Sequence, residues 1–120
     1  MDGLVYKNRD DAIFFMGMVN SAKSPNHVPG FYKSKPYYKI LDNRESAQFQ
    51  RFMKIYIAQK YVLTVRERQI LNDLYGFDKP RLTLKNVGIL HNITQERVRQ
   101  IRQYAERKIV NELMEQSGSS

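Results

Sequence analysis

The chain has 120 residues, of which 42% are hydrophobic, and this is enough for one domain or two small helical units. Lys and Arg total 20 against 12 Asp and Glu, and the resulting net charge of +8 favours an anionic partner, most often a nucleic acid. The chain has no Cys, which excludes disulfides and thiolate metal sites, and no apolar run approaches the roughly 20 residues of a membrane span.

The first predicted element is a helix that Asn8 or Asp10 caps and that runs through about Ser21. It follows the stretch MDGLVYKNRDD, which has acids where a secretory signal peptide needs bases, so we expect a cytoplasmic protein. Apolar side chains lie on nearly every side of this helix: Ile13, Phe14, Phe15, Met16, Met18 and Val19. Such a helix needs burial, either within this chain, which we favour, or against a partner protein.

Residues 24–39 hold three prolines and a glycine, which predicts a loop or an extended stretch. Aromatic residues and lysines alternate along its second half: Phe31, Tyr32, Lys33, Lys35, Tyr37, Tyr38 and Lys39. This arrangement can stack on unpaired bases and neutralise phosphates. In the plainer alternative, the aromatic rings pack on the helices while the lysines stay in water.

Asp42 followed by Glu45 resembles a capping box and predicts a helix that continues to about Lys60. One face of this helix has the pattern of a protein core, with Phe49, Phe52, Met53 and Tyr56, and Ile57 beside them. We therefore interpret residues 1–60 as an N-terminal region of two helices and a long loop, packed against the rest of the chain. This region is also a candidate surface for a further protein partner.

The next helix begins at a second capping box, formed by Thr64 and Glu67 in the pattern T-x-x-E. Its inner face contains Ile70, Leu71 and Leu74. Gly76 is predicted to end the helix in a left-handed conformation, and Phe77 is placed to fold back onto the helix end.

Residues 82–108 read LTLKNVGILHNITQERVRQIRQYAERK, the pattern of two helices joined by a tight turn. Thr83 and Thr94 can each accept a free N–H of a first helical turn. Asn92 tolerates a positive φ, which lets the chain reverse there. Gly88 costs about 1 kcal/mol in a helix relative to Ala. A close helix–helix crossing at Gly88 would justify that cost.

The second of these helices, predicted to run from Gln95 to about Met114, has two distinct faces. Val98, Ile101, Ala105, Ile109 and Leu113 form one apolar stripe. The opposite face holds Glu96, Gln100, Gln103 and Arg107, with Arg97 and Arg99 on its two sides. Glu, Gln and Arg can read base edges through planar, bidentate hydrogen bonds. The alternative is an ordinary solvated helix face.

This part of the chain resembles region four of bacterial sigma factors, the domain that reads the promoter −35 element. The resemblance begins at LTVRERQILNDLYGF, continues through TLKNVG, and is closest at ITQERVRQI, so that it covers about residues 61–113. The chain differs from the usual family pattern at Gln95, where the family has Arg, and at His91 and Asn92. It also has Ile89 and Leu90 where the family tends to be polar.

The resemblance implies two sets of site residues. The DNA-binding set is Thr83, Thr94, Gln95, Glu96, Arg97, Arg99, Gln100, Gln103 and Arg107. The family also docks on the β flap of RNA polymerase, which implies a polymerase-binding set on residues 64–75: Arg66, Arg68, Gln69 and Asp73. His27 and His91 are too isolated to suggest a metal site, and we expect no cofactor.

We predict an all-α protein with a sigma region 4-like helix-turn-helix bundle and an N-terminal two-helix extension. The predicted divisions are residues 1–60, 61–116 and a disordered tail at 117–120. The expected function is a sigma-like transcription factor or accessory activator. The chain has no Trp and no stretch for −10 recognition, so we do not expect it to act alone as a conventional sigma factor. The alternative is a regulator that binds RNA polymerase or a sigma factor without reading DNA. No nucleophile–base pair, acidic dyad or phosphate loop is visible, so we do not expect an enzyme.

Overall fold

The computed structural model describes the backbone of residues 2–23 and 36–118, and the side chains of residues 9–20 and 37–116. Six α-helices follow one another: α1 (Asp2–Lys23), α2 (Pro36–Asp42), α3 (Ala47–Gln59), α4 (Val65–Tyr75), α5 (Leu84–His91) and α6 (Gln95–Gly118). A short 3₁₀ turn, Lys60–Val62, joins α3 to α4. The predicted all-α class is confirmed. No helix in the described ranges is both long enough and apolar enough to cross a bilayer.

The N-terminal extension differs from the prediction in its elements. It contains three helices, since α2 forms inside the segment predicted as a loop, and α1 begins at Asp2. The predicted capping box at Asp42 and Glu45 is wrong. Ser46 caps α3 by accepting the Phe49 N–H at 3.0 Å, whereas Asp42 ends α2 and its carboxylate binds Arg81 at 2.6 Å.

Two predicted features lie at least partly outside the described residues. Of the predicted loop, residues 24–35 are not described. Tyr37 is buried, and Tyr38 is half-buried against the core. These two rings therefore pack on the helices, as in the plainer of the two alternatives. Of the predicted disordered tail, residues 117–118 belong to α6, and residues 119–120 lie outside the described residues.

The capping box at the start of α4 is confirmed. Thr64 accepts the Glu67 N–H at 3.1 Å, and the Glu67 carboxylate accepts the Thr64 N–H at 2.9 Å. Lys108 of α6 binds the same carboxylate at 2.9 Å. Burial alone would raise the pKa of Glu67, but these hydrogen bonds outweigh it and lower the pKa. The box therefore also ties the start of α4 to α6.

The end of α4 follows the prediction as well. Gly76 has φ 76° and ψ 52°, a left-handed conformation that suits glycine. A Cβ atom there would lie 2.8 Å from the Lys79 carbonyl oxygen, so the position has no room for a side chain. The Phe77 ring packs on Tyr56 with centroids 6.4 Å apart, which returns the chain to the core after the helix ends.

One continuous core joins the extension to the C-terminal helices. Phe52 of α3 stacks on Phe15 of α1 at 5.1 Å and meets Tyr75 of α4 edge-on at 4.7 Å. Tyr37 of α2 and Tyr56 of α3 contact the same Tyr75 ring at 6.4 and 5.2 Å. The α1 helix packs chiefly against α6. This arrangement agrees with the prediction that residues 1–60 pack on the rest of the chain.

A buried polar cluster on α6 lies against Tyr75 of α4 and Tyr37 of α2. Glu106 has no exposed surface and Arg102 is 4% exposed. The Tyr75 hydroxyl donates to the Glu106 carboxylate at 2.6 Å, and the Arg102 Nε lies 3.8 Å from the other carboxylate oxygen. Burial, followed by the nearby negative charge of Glu106, raises the pKa of Tyr75. This hydroxyl therefore stays protonated and donates to the carboxylate.

Candidate DNA-binding helix-turn-helix

The turn between α5 and α6 forms as the sequence predicts. Asn92 has φ 57° and ψ 44°, the one positive φ of a non-glycine residue in the described part of the chain. Its N–H reaches the carbonyl oxygens of Gly88 and Ile89, and the Ile93 N–H donates to Gly88 O at 2.9 Å. Asn92 thus ends α5 in the conformation that reverses the chain, and this reversal sets α6 across α5.

Gly88 is the contact point between α5 and the start of α6. A Cβ atom at Gly88 would lie 2.7 Å from the Ile93 carbonyl oxygen and 3.4 Å from the Gln95 nitrogen. Because both are backbone atoms, no side-chain rotation can relieve the contact. The close approach that the glycine predicts is to the backbone of the turn and of the first residue of α6.

Replacing Gly88 with alanine is expected to destabilise the protein. Helix propensity favours alanine by about 1 kcal/mol, but overpacking against fixed atoms costs about 1–3 kcal/mol. The net loss in free energy of unfolding, measured in a urea titration, should therefore be up to about 2 kcal/mol, whereas Gly17→Ala should gain about 1 kcal/mol. Gly17→Ala is the matched control, because no atom lies near a Cβ at that helical position. A Gly88→Ala protein as stable as the control would show that the turn moves freely.

Threonine side chains cap both helices. The Thr83 Oγ1 accepts the Asn86 N–H at 3.1 Å, and the Thr94 Oγ1 accepts the Arg97 N–H at 3.0 Å. Both residues are exposed. A hydroxyl that accepts one hydrogen bond can still donate its own proton. Thr83 and Thr94 are therefore free to donate to a phosphate while they hold the helix starts in place.

The α6 helix presents the two faces that the sequence predicts. Its apolar stripe is buried, with exposures of 0–9% at Val98, Ile101, Ala105, Ile109 and Leu113. The opposite side is solvent-accessible: Gln95, Glu96, Arg97, Gln100 and Arg107 are exposed, and Arg99 and Gln103 are half-buried. The structure thus brings seven predicted DNA-binding residues to one side of α6. Their contact with DNA stays a prediction.

A hydrogen-bond network links the polar residues of this face. Arg99 binds Glu96 with both Nε, at 2.9 Å, and Nη2. Gln100 donates to the same carboxylate at 3.5 Å and accepts from Arg97 at 3.4 Å. The hydrogen bonds from Arg99 lower the pKa of Glu96. In the free protein the carboxylate is therefore ionised and paired with Arg99, a contact that reasoning from the sequence missed.

The four predicted polymerase-binding residues of α4 differ in exposure and in the partners they contact. Arg66 and Gln69 are exposed on α4, and Arg68 is half-buried. Asp73 binds His91 of α5 at 3.2 Å and Lys79 at 3.5 Å, with 14% of its side chain exposed. Asp73 thus holds the end of α5 against α4.

Arg66 instead borders the exposed polar face of α6. Together with Arg97, Gln100 and Tyr104 it lines a groove of about 410 Å³ between α4 and α6. Arg66, predicted to bind polymerase, and Arg97, predicted to bind DNA, thus line the same groove. No group of His, Asp and Glu side chains within the described residues is arranged to hold a metal ion.

Three basic residues near the turn were not singled out from the sequence. Arg81, Lys85 and Arg102 line a cleft between α2 and the starts of α5 and α6. The spacing of Arg102 and Glu106 is the usual i, i+4 pattern of an exposed ion pair. That spacing gives no sign that the pair of Arg102 and Glu106 is buried.

These features define a helix-turn-helix protein, and the comparisons with known proteins agree. Residues 62–109 match the family described as sigma-70, region 4. The RNA polymerase sigma factor SigA1 of Synechococcus elongatus is 48% identical over 48 residues, which cover 39% of this chain and 12% of that relative. SigA of Nostoc sp. and SigA of Microcystis aeruginosa are each 46% identical over 48 residues, again 39% of this chain and 12% of the relative.

The predicted resemblance to sigma region four is thereby confirmed for this segment. The chain spans only a small part of the length of the relatives it matches, 12% in each of the three. No solved structure matches the chain. The extension, residues 1–60, lies outside the matched segment.

Proposed function

We propose that the protein is a sigma-like transcription factor or accessory activator that binds promoter DNA through α5 and α6 and contacts bacterial RNA polymerase. The observation that carries this proposal is the exposed polar side of α6, which follows a correctly formed turn in the segment similar to sigma region four. A helix held in this way can enter a major groove. The proposed role is binding, without catalysis.

Two kinds of DNA contact follow from the residue types on α6. Glu96 lies in its first turn and can accept from cytosine N4, and Gln100, one turn later, can pair with adenine N6 and N7. Arg97, Arg99 and Arg107 are suited to phosphates, which fix the register without reading sequence. Thr83, Thr94, Gln95 and Gln103 complete the proposed surface, because hydroxyl and amide groups donate to phosphates or base edges.

The polymerase contact is proposed for the outer side of α4. Arg66 and Gln69 are its exposed members, and Arg68 lies at the edge toward α3. Asp73 contributes indirectly, since its carboxylate is shared between His91 and Lys79. The proposed partner is the β flap of the polymerase core, by similarity to the family.

A second candidate function rests on a separate observation. Ile89 and Leu90 of α5 are 70% and 61% exposed, so the described part of the extension does not bury them. Adjacent exposed apolar residues favour a protein interface. The protein would then regulate RNA polymerase or a sigma factor through protein contacts. Ile13 and Ile57 are also exposed and belong to residues 1–60, which gives a further protein partner a surface to bind.

A binding selection from randomised DNA duplexes tests base reading. With Glu96→Ala we expect the fold to persist and preference at one base pair to relax by about 1–3 kcal/mol. Non-specific affinity should stay the same or rise, because Arg99 loses its intramolecular partner and becomes available to phosphate. Arg99→Ala should weaken binding to all sequences, since it removes a cation and leaves Glu96 unpaired.

The matched control is Glu115→Ala, which removes an exposed acid from the far end of the same helix. Its sequence preference should equal that of the parent. If the parent enriches no sequence but captures RNA polymerase, DNA reading is refuted and the protein-interaction function takes its place.

A further inference from the structure

The loop between α4 and α5, residues 76–83, leads the chain into the helix-turn-helix, and we call it the α4–α5 loop. Its last residue, Thr83, caps α5 and belongs to the proposed DNA-binding set. A backbone hydrogen bond from the Leu82 N–H to Asp73 O, at 2.9 Å, ties the end of the loop to α4. The position of the start of α5 therefore depends on what else holds this loop.

Arg44, in the turn between α2 and α3, holds the first half of the α4–α5 loop. Its Nη1 group donates to the carbonyl oxygen of Gly76 and, at 2.6 Å, to that of Lys79. Gly76 leaves room for the guanidinium, since a Cβ atom there would lie 2.8 Å from Arg44 Nη1. Hydrogen bonds from a charged donor are stronger than those between neutral groups. The guanidinium thus fixes two carbonyl groups that lie three residues apart in the loop.

The turn that carries Arg44 is itself held in place. The Ser46 N–H donates to Asn43 O at 3.0 Å. The Gln50 side chain donates to the Arg44 carbonyl oxygen at 3.1 Å, and the Arg44 guanidinium lies over the Phe49 ring at 5.3 Å. Because both the backbone and the side chain of Arg44 are supported by α3, the guanidinium is a firm attachment point for the loop.

A second contact from the extension holds the other half of the loop. Asp42, the last residue of α2, binds Arg81 through two hydrogen bonds of 2.6 and 3.1 Å. Arg81 lies two residues before Thr83, and its guanidinium lies over the Tyr38 ring at 4.9 Å. The extension therefore holds the α4–α5 loop through residues outside the segment that matches sigma region 4.

We propose that Arg44 is a positioning residue for the DNA-binding surface and acts through the α4–α5 loop. This inference rests on the proposed function. Arg44 is half-buried and engaged with the loop, so it is not itself placed to bind a phosphate. A loop released from Arg44 lets the start of α5, with Thr83, leave the arrangement in which α5 and α6 face DNA together. Only molecules in that arrangement bind, and the apparent affinity falls with their fraction.

The test measures affinity for a duplex that the parent enriches, across a salt series, with the parent, Arg44→Gln and Arg51→Gln. Arg51 is the matched control, because it is also an arginine of the extension that lies over a phenylalanine ring, and it binds Asp11 of α1. Arg44→Gln should bind roughly 10-fold more weakly, the equivalent of about one hydrogen bond to a charged group. Its slope of log K against log salt should equal that of the control, because no phosphate contact is lost. Arg51→Gln should keep the affinity of the parent.

Two more variants sharpen the comparison. Arg44→Lys keeps a charged donor but lacks the planar fork of arginine, so it should lose about 3-fold in affinity. It also takes the place of Arg44→Gln in the salt series if a urea titration shows that the glutamine variant does not fold. Arg97→Gln removes a proposed phosphate contact and should lower the slope by about 0.9.

Hydrogen exchange in the free proteins reports on the loop directly. The Leu82 N–H, which binds Asp73 O, should exchange roughly 10-fold faster in Arg44→Gln, while amides of α3 keep their protection. Exchange of Leu82 at the rate of the parent would show that Arg44 does not hold the loop, and would overturn the inference.

The binding data can also overturn the inference. Affinity equal to that of the parent in a folded Arg44→Gln protein would make Arg44 a purely structural residue. A salt slope lowered as in Arg97→Gln would make Arg44 a direct phosphate contact. Both results would leave the proposed function intact, whereas a parent that binds no duplex would refute the proposed function and this inference with it.

Discussion

Replacing Glu106 with alanine is expected to lower the free energy of unfolding by about 3–5 kcal/mol. The carboxylate is fully buried between the Tyr75 hydroxyl, at 2.6 Å, and the Arg102 guanidinium, at 3.8 Å. Its removal leaves a buried cation without its counter-charge and takes the acceptor from Tyr75. Both losses fall on the folded state alone, because water solvates these groups in the unfolded chain.

The measurement is a urea titration of the parent, Glu106→Ala and the double variant Glu106→Leu with Arg102→Leu. Replacing both members of a buried ion pair with apolar residues is often neutral or stabilising. We therefore expect the double variant to recover most of the stability that Glu106→Ala loses. A Glu106→Ala protein that unfolds at the same urea concentration as the parent would show that the cluster contributes nothing to stability.

The helix-turn-helix was predictable because its signals are local. Thr83 and Thr94 cap their own helices, and Asn92 takes the left-handed conformation within its own turn. Gly88 has no side chain where backbone only a few residues later lies close to it. The two faces of α6 follow from a periodicity of 3.6 residues. Each inference needed only neighbours along the chain, and each is confirmed as geometry.

The extension was predicted less well because its helices depend on distant contacts. Helix α2 forms in a proline-containing segment, where the buried Tyr37 ring and the Asp42–Arg81 ion pair hold it against later residues. Asp42 and Ser46 are both good capping residues, so the sequence alone did not decide between them. The Ser46–Phe49 hydrogen bond shows which residue caps α3, and Asp42 binds Arg81 instead.

The candidate site shows the same limit. The residues of the α6 face were predictable from spacing, but the pairing of Arg99 with Glu96 depends on side-chain conformation. The cleft between α2 and the starts of α5 and α6 was not predictable, because residues of α2, α4, α5 and α6 line it together. The division of the chain at residue 60 stays a prediction, and the shared aromatic core makes it open to a direct test.

Replacing Phe52 with alanine tests the boundary at residue 60. The substitution is expected to lower the free energy of unfolding by about 3–5 kcal/mol. Phe52 has no exposed surface, stacks on Phe15 of α1 and meets Tyr75 of α4 edge-on. Its removal opens a cavity where the extension and the helix-turn-helix share one core. Because small domains have only about 5–15 kcal/mol of stability, this loss is a large fraction of the total.

Hydrogen exchange in the parent and in Phe52→Ala shows how far the loss spreads. If the core is one cooperative unit, amides of α6 should lose protection by about the same free energy as amides of α3. Ile57→Ala is the control, because this residue of the same helix is 49% exposed and its truncation should cost far less. If α6 keeps its protection while α3 opens, the two regions fold independently and the boundary at residue 60 is real. Loss of protection in both would mean that the extension is part of the scaffold that holds the DNA-binding helix in place.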